Sequence, residues 1–128
     1  MPRIPPDRAL SLFRVLEEAL SNVFHHGGGS AAHVTLTGFD GQLVLRVSDD
    51  GRGFVVGEQS GGLGLVSMRE RIESLNGRLT IASAPASGTV VEARVPLDPT
   101  RDLSSLPEIP AEMPPVLRVV AGGRAESA

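Results

Sequence analysis

Hydrophobic positions in the first part of the chain recur with helical spacing. From Ala9 to Phe24 the apolar residues Ala9, Leu12, Phe13, Leu16, Ala19, Leu20 and Val23 gather on one broad face at about 100° per residue, which predicts an amphipathic helix. Pro2, Pro5 and Pro6 hold the chain extended before it, Asp7 stands where an N-cap belongs, and Gly27, Gly28 and Gly29 stop it. The period then changes to two. His33-Val34-Thr35-Leu36-Thr37 alternates, Asp40-Gly41 is a turn signal, and Leu43 to Ser48 continues the alternation, so residues 33–48 read as a hairpin. A Gly- and Asp-rich loop over 49–62 leads to a second helix, about Leu63 to Leu75. Leu65, Met68, Ile72 and Leu75 form its stripe, and Asn76-Gly77 its stop. Arg78–Ser83 and Thr89–Val95 make a second hairpin.

Helix, two strands, helix, two strands predicts an α+β fold. It would be a two-layer sandwich with helices on one face of a mainly antiparallel mixed sheet. After residue 97 the pattern fades. Residues 98–128 hold Pro99, Pro107, Pro110, Pro114 and Pro115 with little periodicity and read as a flexible tail on a domain spanning 1–97. Within that tail Val116 to Val120 is apolar enough to dock as an edge strand, the less favoured of the two readings.

Composition narrows the function. The 128 residues carry 12 Arg, no Lys and 15 acidic residues, a formal charge of −3, so there is no basic stripe and no expectation of direct nucleic-acid binding. No apolar stretch is long enough to span a membrane. Cysteine is absent, which removes thiolate chemistry, disulfides and Cys-based zinc sites; without a secretory signal the expected setting is cytoplasmic. Only four aromatic residues, all Phe, are present, so Leu, Val, Ile and Ala must build the core.

Four features could carry chemistry. Glu18, Asn22 and His25 fall at i, i+4 and i+7, on the side of the first helix opposite its apolar face. Asn is a mediocre mid-helix residue, yet it offers a hard oxygen ligand there, with a carboxylate one turn away. Asp49-Asp50-Gly51-Arg52-Gly53 follows a predicted strand. Its glycines let backbone pass beneath a flat ligand, and the Asp49 carboxylate, an acceptor only, favours an exocyclic amine over a carbonyl. Gly61-Gly62-Leu63-Gly64 opens the second helix, where free N–H groups attract anions. Gly88-Thr89 starts the last strand, with a hydroxyl that could meet Asp49 across the sheet. Taken singly, a solvated helix face, an Asp-Gly turn, a flexible loop and a strand start explain them as well.

As an ordered series they resemble the ATP-binding catalytic domain shared by sensor histidine kinases, DNA gyrase, Hsp90 and MutL, the GHKL or Bergerat-fold ATPases. Leu12-Phe13-Arg14-Val15-Leu16-Glu17-Glu18-Ala19-Leu20-Ser21-Asn22-Val23 and Gly64-Leu65-Val66-Ser67-Met68-Arg69-Glu70-Arg71-Ile72 are similar to the subfamily paired with LuxR-type response regulators. The resemblance covers about residues 8 to 97. It implies ATP and Mg²⁺ as cofactors, with Asn22 coordinating the metal and Glu18 acting as base or orienting the accepting group. Asp49 would hold the adenine amine, helped by Thr89 through a water. Gly51, Gly53, Gly62, Leu63 and Gly64 would frame the nucleotide and a short lid at about 54–61.

The chain departs from the family where His25 replaces the usual Lys or Arg near phosphate, where Gly27 replaces an Ala, and where Ala86 replaces a Gly. His26 matches a histidine common in the subfamily. No helix with a phosphoacceptor histidine precedes residue 8. The resemblance therefore implies a catalytic domain whose acceptor histidine lies on a separate dimerisation domain. The alternatives are a free-standing relative, such as an anti-sigma-factor-like serine kinase, and a non-catalytic nucleotide-binding module.

Overall fold

The first helix, α1 (Pro6–Asn22), starts earlier than its apolar periodicity indicates. The Pro5 carbonyl accepts the N–H groups of Arg8 and Ala9 at 3.1 and 3.0 Å, so Pro6 opens the first turn, where its missing N–H and fixed φ are no disadvantage. Asp7 consequently sits inside that turn rather than capping it, near the positive end of the helix dipole. The computed structural model describes residues 4–22, 31–49, 65–83, 88–98, 100–110 and 117–122. The Gly27–Gly29 stop lies outside them.

Strands β1 (Ala31–Phe39) and β2 (Gln42–Asp49) form the expected hairpin. Asp40 and Gly41 take φ values of 49° and 82°, the pair of left-handed residues that a two-residue type I′ turn needs. Helix α2 (Leu65–Glu73) closes on a Schellman motif, with Gly77 N–H donating to Ile72 O and Asn76 N–H to Glu73 O, both at 3.0 Å. The left-handed residue is Asn76, at φ 62°. Gly77 is required for a different reason, since a Cβ there would strike the Arg94 carbonyl oxygen. Strands β3 (Arg78–Ser83) and β4 (Thr89–Pro96) form the second hairpin.

The sheet order is β3-β4-β2-β1-β5, where β5 is Leu117–Gly122. Every hydrogen-bonded pairing among the described strands is antiparallel, although β2 and β3 run the same way with β4 between them. The architecture is α+β, with α1 over β2 and β4, and α2 over β3 and β4. Leu12, Val15 and Ala19 of α1 and Met68 and Ile72 of α2 close over the alternate residues Leu43, Leu45 and Val47 of β2 and Val91, Ala93 and Val95 of β4.

Beyond Pro96, several of the described residues adjoin the sheet. Leu103, in a 3-10 turn (Leu103–Ser105), is buried. Pro107 O accepts from the buried Gln42 Nε2 on the face away from the helices, and β5 pairs with β1. Unpaired, the outer edge of β1 would expose a row of N–H and C=O groups. Leu117, Val119 and Ala121 stand in register with Leu36, Val34 and Ala32.

Candidate functional site

Two helices and two strand ends converge at one end of the sheet. Arg8 holds the start of α1 to Pro96 O at 2.6 Å, and it also reaches Leu75 O just past α2, at 3.4 Å. The N-terminus of α1, the C-terminus of α2 and the end of β4 therefore meet at one end. From Arg8 to Asn22, α1 rises about 21 Å, close to the roughly 23 Å spanned by β2. Running over β2 and β4, it carries its last turn toward the end where β2 stops and β4 begins. Helix α2 runs the opposite way, so its first residue, Leu65, lies toward that same end.

There the face of the sheet changes character. Reading β1, β2, β4 and β3 across in register, one helix-side row is Val34, Val47, Val91, Ile81 and the next Leu36, Leu45, Ala93, Leu79. The last row is Ala32, Asp49, Thr89, Ser83. Asp49 and Thr89 are direct cross-strand partners, both half-buried, continuing rows that are otherwise apolar. A carboxylate and a hydroxyl at the rim of an apolar surface suit a flat ring with an amine on its edge. The ring would rest on the apolar rows while the carboxylate accepts the N–H. Gly88, buried at φ 79°, turns the chain into β4 and sets Thr89 in this register.

Of the other residues singled out from sequence, Glu18 is half-buried one turn before the end of α1, and Asn22 is the helix's last residue. His25, His26, Gly51, Gly53, Gly62, Leu63, Gly64 and the 54–61 lid lie outside the described residues. His33 is exposed and paired with Ser48, next to the last row at this same end but on the face away from the helices. Among the described residues no group of three or more His, Asp or Glu side chains could hold a metal. Sequence reasoning passed over Arg8. The signal was present: it stands four residues before Leu12 and seven before Val15, a charge on the core stripe.

Comparison with known proteins gives the family. The family described as histidine kinase-, DNA gyrase B-, and HSP90-like ATPase matches residues 7–99. The chain belongs to that family. It is an ATP-binding domain of the kind found in sensor histidine kinases, and the match contains Glu18, Asn22, Asp49 and Thr89 while β5 lies beyond it. The sensor protein VraS of Staphylococcus aureus is 38% identical over 97 residues, 75% of this chain and 28% of the relative. The sensor histidine kinase LiaS of Bacillus subtilis is 40% identical over 89 residues, 69% of this chain and 25% of the relative. The chain thus spans about a quarter of the length of these curated relatives. Among solved structures, the histidine kinase domain of the Erythrobacter litoralis EL346 blue-light activated histidine kinase superposes with a TM-score of 0.63 at 27% identity, covering 73% of this chain and 46% of that one. The Acinetobacter baumannii histidine kinase AdeS, at 16% identity and a TM-score of 0.59 over 69% of this chain and 46% of that one, shares the fold. Among the described residues no helix is long and apolar enough to cross a membrane.

Proposed function

We propose that this chain is the catalytic domain of a two-component sensor histidine kinase of the LuxR-paired subfamily, working in the cytoplasm. It presents Mg·ATP to a histidine on a separate dimerisation domain. Residues 1–97 are the nucleotide-binding unit and 98–128 an appended segment. The observation that carries the reading is the Asp49–Thr89 pair at the rim of an apolar sheet face, inside a family match that spans the domain.

Bound Mg·ATP supplies the γ-phosphoryl group; the protein positions it and neutralises charge. Asp49 accepts the adenine amine and rejects a carbonyl at the same place, with Thr89 completing the contact. Asn22 offers an amide oxygen to the metal, and Glu18 takes or orients the N–H proton of the accepting imidazole. Gly51, Gly53, Gly62, Leu63 and Gly64 would frame the nucleotide and a short lid. His25 stands where the family carries a cation, and a neutral imidazole there weakens the phosphate contact. The subfamily motifs support a LuxR-type response regulator as the next recipient.

The test mixes the protein with labelled Mg·ATP and the dimerisation domain of a LuxR-paired kinase. Acid-labile, alkali-stable label on the acceptor histidine is expected, with none on His25, His26 or His33. Acid-stable label on a serine of a partner protein would favour the serine-kinase alternative, and nucleotide binding without transfer to any acceptor the non-catalytic one.

A further inference from the structure

One buried charge has no part in the reaction. Arg8 is 2% exposed, on the core stripe of α1, at the end of the sheet remote from Asp49 and Thr89. Its Nε donates to Pro96 O at 2.6 Å, one Nη to Leu75 O at 3.4 Å and the other to the Asp7 carboxylate at 2.9 Å. An apolar residue would fill the position without desolvating a guanidinium, so burial of the charge is not needed to make a core there. The planar fork does what an apolar residue cannot: it joins the start of α1, the end of α2 and the end of β4 in one fixed geometry.

We propose that Arg8 is a positioning residue that sets the splay between α1 and α2, and through it the gap between their far ends. The proposal rests on the nucleotide reading above. Helix α1 extends about 21 Å beyond this anchor, so a tilt of about 5° there displaces its last turn by roughly 2 Å. Glu18 and Asn22 ride on that lever, and α2 begins on the facing side. Asp49 and Thr89 do not, because they belong to the sheet. Binding therefore divides. The triphosphate, held between helix ends, depends on Arg8, whereas the adenine, held on the sheet, does not.

The experiment compares dissociation constants for Mg·ATP and for adenosine in wild type, Arg8→Lys, Arg8→Met and Asp7→Asn, at a temperature where circular dichroism shows each folded. Lysine keeps the charge but not the fork, and methionine keeps most of the volume. For both Arg8 variants Mg·ATP is expected to weaken about tenfold while adenosine stays within about twofold. Asp7→Asn, which leaves both carbonyl contacts in place, should keep the wild-type ratio. If Arg8→Met fails to fold, Arg8→Lys alone decides. A parallel loss of both ligands, or no loss of either, overturns the proposal, because a merely structural role scales both affinities with the folded fraction. Wild-type protein that binds neither ligand would instead overturn the nucleotide site itself, and this proposal with it.

Discussion

Replacing Asp49 by Asn changes one charge and almost no volume, at a position whose neighbours in register are Ala32 and Thr89 and whose row beneath is Val47 and Val91. Both valines are buried, at 2% and 5% exposure, so the surface that would support a ring stays intact. A hydrogen bond to a charged group contributes about 1.5–3 kcal/mol, and half-burial places Asp49 near the lower figure. Mg·ATP affinity should then fall roughly tenfold. Mg·GTP should move the other way, because the amide no longer repels the guanine carbonyl and can donate to it. Titration calorimetry of both nucleotides on both proteins reads the preference directly, and thermal unfolding checks that the fold is unchanged. An ATP-to-GTP ratio that stays constant would refute the assignment of Asp49 to purine selection. So would equal losses for both nucleotides without a fall in thermal stability.

Two further outcomes follow from the packing. Gly77→Ala places a methyl group against the Arg94 carbonyl oxygen and within 2.8 Å of Ile72 Cγ2 and Val95 Cγ1. It should lower unfolding stability by about 1–3 kcal/mol in urea, and an unchanged midpoint would contradict that crowding. Asp98 is held below the ordinary carboxylate range chiefly by the Thr100 backbone N–H and then by the Thr100 side chain. Its contribution is present above the ordinary carboxylate pKa and disappears as pH falls through the lowered folded value. Wild type should therefore exceed Asp98→Asn slightly in thermal stability at neutral pH and converge with it in acid; a gap that widens on acidification would be inconsistent.

Much of the local structure was legible because it depends on near neighbours. Asp40-Gly41 specifies its turn through two left-handed residues, and the 3.6 and 2.0 periods mark α1 and the first four strands. The stop at Asn76-Gly77 was legible in place but not in cause, since the requirement at Gly77 comes from Arg94, seventeen positions away on another strand. At α1 the apolar stripe located the helix, but its start depends on the backbone hydrogen bonds that Pro5 accepts. Ordered motif spacing pointed to Glu18, Asn22, Asp49 and Thr89, whereas Arg8, which carries no motif, went unnoticed.

What the chain order alone determined was a set of elements and their apolar faces, along with a family resemblance written in short motifs. Which strand lies beside which was decided in three dimensions. Helix α2 returns the chain so that β3 runs with β2, the hairpin then sets β4 between them, and only that insertion brings Thr89 opposite Asp49. The same holds for β5, whose six residues among prolines gain strand character from the open edge of β1. It holds too for Arg8, whose burial is tolerated because carbonyls from two distant elements converge on it. Periodicity reports what a segment can bury; the partner that buries it is contributed by the rest of the fold.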